Sequence, residues 1–353
     1  MDTDNSQAIL GQISDALARR SPLVIQGGGS KSFYGNPVEG EILSTAGHRG
    51  IVEYHPSELV VTVRSGTPLR ELEAALAEEN QMLAFEPPRH TPNTTIGGVI
   101  ACGLSGPRRI ACGAARDFVL GATIINGRAE ILRFGGQVMK NVAGYDAARL
   151  MAGAQGTLGV LLDISLKVLP RPPVEISLKF QVELEEAIRR VRAWTKAGLP
   201  LTASCYYRHH LYVRLGSTDS AVKRSVGELT RRWSAETVDN EFWVAIRDQT
   251  HEFFDQAHCL WRCSHRSTTP FYADTESQLI EWHGALRWID HEQDMYGTAA
   301  EHGGHATRYP LGRSATHNIF HPLPAAMLRL HQRIKQAFDP NRLFNPGRLY
   351  ADL

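Results

Sequence analysis

A glycine-punctuated loop that leads into an apolar strand constrains the fold of this chain more than any other sequence feature. The loop runs over residues 140–146, and glycines return at 156–160. The segment 160–169 is apolar, has strand character and stops at Pro170, because proline cannot donate to a strand ladder. Glycines let backbone N–H groups approach a flat or phosphorylated ligand, since no Cβ stands in the way. The pattern predicts a ligand-binding loop that includes Gly156, Gly159 and Val160.

A second glycine loop follows a short predicted strand, 23–26, near the N-terminus. Successive glycines can turn several N–H donors toward one anion. The spacing differs from G-x-G-x-x-G, because Ser32 stands where the third glycine belongs, and no Gly-Lys dipeptide provides a Walker motif. A flexible surface turn is the alternative interpretation of a bare glycine triplet. We predict a phosphate cradle formed by Gly27, Gly28, Gly29, Ser30 and Lys31.

A third stretch lies between these loops and combines a Thr-Ile-Gly-Gly turn with further glycines and an Arg-Asp pair. A strand is expected at 119–125, followed by the hairpin signal Asn126-Gly127 and a partner strand at 129–134. The candidate binding residues in this stretch are Thr95, Gly97, Gly98, Ser105, Gly106, Gly113 and Asp117.

Together the three stretches resemble the FAD-binding domain of the PCMH type, which D-lactate dehydrogenases, glycolate oxidases and vanillyl-alcohol oxidases share. The resemblance implies that FAD is the cofactor, with its pyrophosphate on the glycine triplet and its adenosine-diphosphate half near the third stretch. Some members tether flavin through a histidine after these glycines, and Ser30 occupies that place, so noncovalent FAD is expected. The tail 338–348 resembles the "FDP…NPGK" ending of the family, which implies that Asn345 lies close to the isoalloxazine.

Bulk properties set limits on the function. A length of 353 residues predicts two domains, by the prior of roughly 100–200 residues per domain. The formal net charge of +1 gives no electrostatic case for nucleic acid. No segment reaches the roughly 18 apolar residues of a membrane helix, and the acidic start lacks a signal peptide's order. We expect a cytoplasmic protein without a transmembrane segment, with the inner membrane reached only through partners.

The five cysteines are an odd number without a C-x-x-C pair, which argues against a disulfide framework and an iron–sulfur cluster. Cys259 and Cys263 lie beside His258 and His265, a spacing able to touch one metal if helical. Buried free thiols are the preferred interpretation, so no metal is predicted. An iron–sulfur centre that accepts electrons from the flavin would belong to another chain.

The predicted fold class is α+β. A PCMH-type FAD-binding domain is expected at 1–171, with a helix at 6–20 and a second helix opened by Thr67-Pro68. Consecutive prolines at 172–173 mark the boundary. A smaller ferredoxin-like α+β cap domain is expected at 172–337, and a tail at 338–353 returns to the first domain. The cap is predicted from a strand, a helix, a strand pair and a helix at 176–182, 183–196, 203–214 and 220–233.

The catalytic prediction rests on Glu301 and His302, in a segment that continues through two glycines to His305. The segment resembles the "EHG" word of catalytic family members, where histidine and glutamate serve substrate oxidation. A polar loop on the cap is the alternative. The H-x6-H metal pair of those members is missing ahead of it. Arg308 and Arg313 are candidates for holding a substrate carboxylate.

Within the family the chain resembles the FAD-binding E subunits of bacterial glycolate oxidases. That resemblance implies oxidation of a small 2-hydroxy acid, glycolate, to glyoxylate. It also implies two partners in one complex, a catalytic flavoprotein subunit and an iron–sulfur subunit. Two alternatives stay open: a self-sufficient FAD-dependent dehydrogenase of small 2-hydroxy acids such as D-lactate, and an assembly scaffold with structural FAD.

Overall fold

A computed structural model describes residues 2–136, 146–310 and 318–353 of the chain. The predictions made for residues 140–145 and for Arg313 therefore lie outside the described residues. Within the described ranges the backbone forms an α+β structure, as expected, with two large antiparallel sheets and two small strand pairs.

The first half of the chain builds the predicted cofactor domain around an antiparallel sheet. Its described strands follow the order β3-β4-β8-β6-β7. The bounds are α1 Ser6–Arg19, β1 Leu23–Gln26, β2 Glu41–Ser44, β3 Ile51–His55, β4 Val60–Arg64, α2 Leu69–Glu78, β5 Gln81–Met82, α3 Ile96–Cys102, α4 Arg109–Cys112, β6 Val119–Ile125, β7 Ile131–Gly135, β8 Val160–Lys167 and β9 Leu169–Pro170. The apolar strand predicted after the glycines is β8, the middle strand of this sheet.

Burial explains the arrangement of this sheet. Val61 and Val63 of β4 and Ile164 of β8 are fully buried in the main core of the domain. Leu72 and Leu76, on one face of α2, complete the same core, as apolar residues four apart on a helix allow. Strands β1 and β2 pair in parallel beside this sheet, and α1 buries Ile9, Ile13 and Ala16.

Two local predictions need correction. Thr67 does not cap α2, because its hydroxyl accepts a hydrogen bond from the Gly50 N–H and donates to the Gly50 carbonyl. The β6–β7 hairpin exists, but residues 126–130 form a longer loop than the Asn-Gly dipeptide predicted. Asn126 Oδ1 accepts from the N–H groups of Arg128 and Glu130, which shapes that loop.

The second half of the chain forms the cap on one antiparallel sheet, with the described strands in the order β13-β10-β12-β11-β15-β16-β14-β17. The bounds are β10 Val174–Gln181, α5 Leu184–Lys196, β11 Leu201–Tyr207, β12 His210–Ser217, α6 Asp219–Arg232, β13 Glu236–Val238, α7 Glu241–Asp248, α8 Glu252–Gln256, β14 Leu260–Ser264, β15 Gln278–Glu281, β16 Leu286–Asp290, α9 Tyr296–Glu301, β17 His305–Arg308 and α10 Ala325–Phe338.

The first six of these elements run strand, helix, strand, strand, helix, strand, with the sheet order β13-β10-β12-β11. This is the ferredoxin-like layer that the sequence predicted. The sequence pattern did not predict that β14 to β17 would extend the same sheet beyond β11. One face of the ferredoxin-like part is covered by α5 and α6, which bury Ile188, Val191 and Leu229.

The opposite face of the cap sheet packs against the first domain. Tyr34 and Leu104 from the first domain share one buried cluster with Cys205, Trp282 and Trp288 of the cap. The Trp282 indole N–H donates to the Gly106 carbonyl across the boundary, at 3.0 Å. The two domains therefore share apolar packing, and any ligand between them meets side chains of both.

Helix α10 lies against the first domain. Ile334 and Phe338 pack on the main core of that domain, and the rings of Phe338 and Phe134 are 5.9 Å apart. Lys335 donates a hydrogen bond to the Thr157 carbonyl at 2.7 Å. We therefore propose that the return to the first domain begins with α10, before residue 338. The other predicted domain bounds stay predictions.

Candidate functional site

A cavity of about 350 Å³ lies where the glycine triplet, the start of α3, the loop before β8 and the C-terminal tail meet. Ligand pockets span roughly 300–1,000 Å³, so the cavity is of ligand-binding size. Eleven of the predicted cofactor residues line it: Gly27, Gly28, Gly29, Ser30, Lys31, Thr95, Gly97, Gly98, Gly156, Gly159 and Asn345. Four segments separated in sequence are thus brought to one place.

The glycine triplet has no space for side chains on the side of the neighbouring loop. A Cβ on Gly28 would overlap the backbone carbonyl oxygen of Asn93, and a Cβ on Gly27 would overlap the Thr95 hydroxyl. Gly29 adopts φ +68°, in the left-handed region that favours glycine. The triplet is therefore required by packing against the 93–95 segment, in addition to any approach of a ligand.

Ser65 provides a polar group at the cavity wall that the sequence patterns did not single out. Its Oγ is buried and has no hydrogen-bond partner among the described residues, although the side chain lines the cavity. The Gly97 N–H donates to the Ser65 carbonyl at 2.7 Å, so the Thr-Ile-Gly-Gly turn fixes this residue. A buried hydroxyl without a partner has an unmet need for a polar ligand atom.

Lys31 brings a buried positive charge to the same cavity. Its side chain is only 6% exposed, and the Nζ contact found in the described ranges is a 3.4 Å hydrogen bond to Ser30 Oγ. Burial lowers the pKa of Lys31 below the ordinary lysine value, while Cys102 and Asp248 oppose that shift. Because a buried ammonium is costly without an anion, the site is built for a negatively charged ligand.

The C-terminal tail holds the walls of the cavity together. Asn345 Oδ1 accepts from the Ile25 N–H at 2.9 Å, and its Nδ2 donates to the Gln155 carbonyl at 2.7 Å. Arg348, which the sequence analysis did not select, lines the cavity. Its guanidinium donates to four carbonyl oxygens of the segment that follows the glycine triplet, those of Lys31, Ser32, Tyr34 and Asn36. A basic residue in the tail motif was the available signal for it.

Five predicted cofactor residues lie outside the lining of this cavity and have structural partners. Ser105 Oγ accepts from the Ala115 N–H, and Asp117 Oδ2 accepts from the Ala114 N–H beside Gly113. The Gly106 N–H donates to the Phe85 carbonyl. As cofactor contacts they stay predictions. The set is Ser105, Gly106, Gly113, Asp117 and Val160, of which Val160 is fully buried at the start of β8.

The predicted catalytic pair lies in the cap, outside that lining as well. Glu301 is exposed at the end of α9, and His302 follows it at the C-terminal cap. His302 Nδ1 lies 2.9 Å from the Thr298 carbonyl, and its ring is 4.6 Å from that of Tyr272. The Nδ1–H therefore donates to that carbonyl, which leaves Nε2 as the available base. Their catalytic role stays a prediction.

The cysteine–histidine group and Arg308 also lie in the cap. Residues 260–264 form strand β14, so Cys259 and Cys263 are about 13 Å apart along an extended chain, too far for one metal ion. Within the part of the chain that the structure describes, no group of three or more histidine, cysteine or acidic residues has metal-binding geometry. Arg308 stacks on Trp261, on the face of the sheet turned away from the first domain.

Two family models match the chain, one at each end. The FAD binding domain matches residues 4–135, and the C-terminal domain of FAD linked oxidases matches residues 298–349. Glycolate oxidase subunit GlcE of Escherichia coli (strain K12) is 47% identical over 100% of this chain and 99% of that protein. The chain belongs to the GlcE family of FAD-linked oxidases. FAD is therefore its cofactor.

Two further relatives match about half of this chain. D-lactate dehydrogenase of Anaerostipes hadrus is 34% identical over 46% of this chain and 34% of that protein. Glycolate oxidase subunit GlcD of Bacillus subtilis (strain 168) is 33% identical over 50% of this chain and 37% of that protein. A solved alkyldihydroxyacetonephosphate synthase has a TM-score of 0.66 at 15% identity, covering 97% of this chain and 75% of that one, which shows a shared fold.

The residues at the cavity fit FAD. The glycine triplet exposes backbone N–H groups without side chains, as a pyrophosphate needs, and Lys31 supplies a buried cation beside it. Ser65 Oγ adds a hydroxyl at the wall that has no hydrogen-bond partner among the described residues.

The helices in the described part of the chain are all too short or too polar to span a membrane.

Proposed function

We propose that this chain is the FAD-binding subunit of a glycolate oxidase complex that oxidises glycolate to glyoxylate. The observation that carries the proposal is the cavity with its glycine triplet and buried Lys31, in a chain 47% identical to an E. coli GlcE over its full length. The partners are a catalytic flavoprotein subunit and an iron–sulfur subunit that takes the electrons onward. The place of action is the cytoplasm, with the inner membrane reached through these partners.

The residues of this chain bind and orient the cofactor. Bound FAD supplies a two-electron acceptor, so the protein's part is positioning, charge and exclusion of water. The glycine triplet and Lys31 hold the phosphates, and Ser65 holds a polar atom of the cofactor. Asn345 and Arg348 keep the walls in place through their backbone hydrogen bonds. These bonds leave Asn345 one amide hydrogen and one lone pair on Oδ1. The predicted contacts with the isoalloxazine would use them.

A self-sufficient dehydrogenase of small 2-hydroxy acids is the second candidate. The 34% identity to a D-lactate dehydrogenase favours it, although that match spans only 46% of this chain. A scaffold role with structural FAD is the third candidate. Turnover by the chain alone supports the second candidate, and an assembled complex in which this flavin is never reduced supports the third.

We expect FAD to be released intact when the purified yellow protein is precipitated with acid. Ser30 stands at the cavity where tethered members of the family carry histidine, and serine lacks the ring nitrogen through which that histidine is attached. The measurement is the flavin absorbance of the supernatant against that of the pellet. Flavin that stays with the pellet contradicts noncovalent binding, and a colourless protein that cannot be reconstituted contradicts the FAD assignment.

The FAD-loaded chain alone is expected to reduce an artificial acceptor negligibly with glycolate or D-lactate. The reason is the cap, where Glu301 and His302 lie outside the cavity lining and no metal-binding group is found among the described residues. Co-expression with both partner subunits should restore turnover of glycolate. Robust turnover by the chain alone, abolished by His302→Ala but not by His258→Ala, would overturn the subunit proposal in favour of the self-sufficient dehydrogenase.

A further inference from the structure

Two guanidinium groups from different domains converge on one indole ring at the domain boundary. Arg109 in α4 of the first domain has its Cζ 4.2 Å from the ring centre of Trp282. Arg262 in β14 of the cap has its Cζ 5.1 Å from the same centre. Both distances share one end point, so the two Cζ atoms are at most about 9 Å apart. Both side chains are half-buried, and Trp282 is fully buried.

Neither arginine has a carboxylate within ion-pair distance in the described ranges. The contrast with the preceding residue is direct, because Arg108 is paired with both Glu86 and Glu175. Burial lowers the pKa of Arg109, and the positive charge of Arg262 lowers it further. Asp117 and Glu281 act on Arg109 and Arg262 from beyond ion-pair distance, so neither carboxylate occupies the N–H edges of the pair. Two like charges held close together are costly, and a bound anion would offset that cost.

The register of the cap sheet places the Arg262 side chain on the face that is turned toward the first domain. Arg262 lies opposite Thr307 of β17, whereas Trp261 lies opposite Arg308 and faces the separate cluster on the far side. Tyr34 shares one buried cluster with Trp282, the ring that both arginines approach. The Tyr34 N–H donates to the Lys31 carbonyl. The arginine pair is thus joined to the FAD cavity by one short backbone segment.

We propose that Arg109 and Arg262 form a binding site for the carboxylate of a small 2-hydroxy acid or its 2-oxo product. The identity of the acid rests on the proposed function, whereas the anion site itself does not. A planar guanidinium stacked on an indole keeps its N–H edges free for bidentate pairing with a carboxylate. Because the two groups come from different domains, the bound acid also links the cap to the first domain.

His305 is the third group at this site and contributes no positive charge. Its pKa lies below the usual histidine value, because surrounding atoms exclude water and because Arg262, His321 and Arg109 lie near. The imidazole is therefore neutral near pH 7 and can accept or donate one hydrogen bond to the acid.

The test uses oxalate, a two-carbon acid without an oxidisable hydroxyl, with the full FAD-loaded chain. Calorimetry measures its binding, and the change in total tryptophan fluorescence provides a second readout, because Trp282 lies at the site. Arg262→Met and Arg109→Met should each raise the Kd at least tenfold, and Arg262→Lys should recover part of the loss, since lysine keeps the charge without the planar fork. Arg190→Met is the matched control, because it removes a cap arginine stacked on Trp233 in a part of the cap to which no binding role is assigned.

FAD content measured for every variant shows whether its fold is retained. An unchanged Kd in Arg262→Met and Arg109→Met overturns the site, as does a wild-type chain that does not bind oxalate, glycolate or glyoxylate. A Kd raised equally by Arg190→Met also overturns it, since the effect would then be one of net charge. Oxalate binding that needs both arginines, in a complex that never oxidises glycolate, keeps the site and rejects the proposed function.

Discussion

Replacing Gly28 with valine is expected to lower FAD affinity at least tenfold, a loss of about 1.4 kcal/mol or more in binding free energy. The Cβ would overlap the backbone carbonyl oxygen of Asn93, and a backbone atom cannot move aside as a flexible side chain can. The triplet and the 93–95 segment must then separate, and Thr95 belongs to the cavity lining. Titration of apoprotein with FAD, followed by flavin fluorescence, measures the change.

Gly11→Val is the matched control for this substitution. Gly11 lies in α1, where nothing lies within 4 Å of an added Cβ, so FAD affinity should not change. Gly29→Val should have a smaller effect than Gly28→Val, because its new Cβ meets the side chain of Gln26. Strain from φ +68° contributes about 1–2 kcal/mol there. Unchanged affinity in Gly28→Val would mean that this loop does not hold the cofactor.

Lys335→Met is expected to lower the free energy of unfolding by about 3–5 kcal/mol. Lys335 and Asp339 are 4% and 0% exposed and lie 2.7 Å apart, Nζ to Oδ2. The ammonium also donates to the carbonyls of Thr157 and Phe344, so all three of its hydrogens are used. Methionine would leave the Asp339 carboxylate buried without its cation. Urea denaturation followed by circular dichroism measures the loss.

The same helix provides the control for Lys335→Met. Arg329 is exposed on α10, so Arg329→Met should change the unfolding free energy by no more than about 0.5 kcal/mol. Because Thr157 and Phe344 adjoin cavity residues, Lys335→Met should weaken FAD binding as well, whereas Arg329→Met should not. Equal stability of the two variants would show that the buried pair contributes nothing net.

The sequence was sufficient where a motif depends on the local backbone. The glycine triplet, the Thr-Ile-Gly-Gly turn and the glycines before β8 meet at one cavity, as their resemblance to one family implied. The apolar run at 160–167 became the middle strand β8, in which every residue except Asp163 and Lys167 is buried, as expected for a strand covered on both faces. The ferredoxin-like part of the cap also followed from the order of its helices and strands.

What the sequence could not predict depends on partners distant along the chain. Ser65 carries no motif that marks it, and Arg348 is marked only as a basic residue of the tail motif. They matter because the Ser65 hydroxyl has no hydrogen-bond partner among the described residues and because Arg348 donates to four carbonyl oxygens in the folded chain. Asn126-Gly127 predicted a two-residue turn. Gly127 is instead needed because a Cβ there would overlap Asp339, more than 200 positions later. No local sequence pattern marks the contact between Gly127 and Asp339.

The hydrogen bonds of Asn345 to Ile25 and Gln155 have a consequence for the order in which this protein folds and binds its cofactor. Asn345 bonds to Ile25, and Phe344 bridges to Leu23, so the strand before the glycine triplet is completed by residues 320 positions later. Contacts of such sequence separation form late, because the entropy of closing the chain must be overcome first. We therefore expect cofactor capture to wait until residues 344 and 345 are free to fold, and nascent chains stalled before residue 345 to remain colourless.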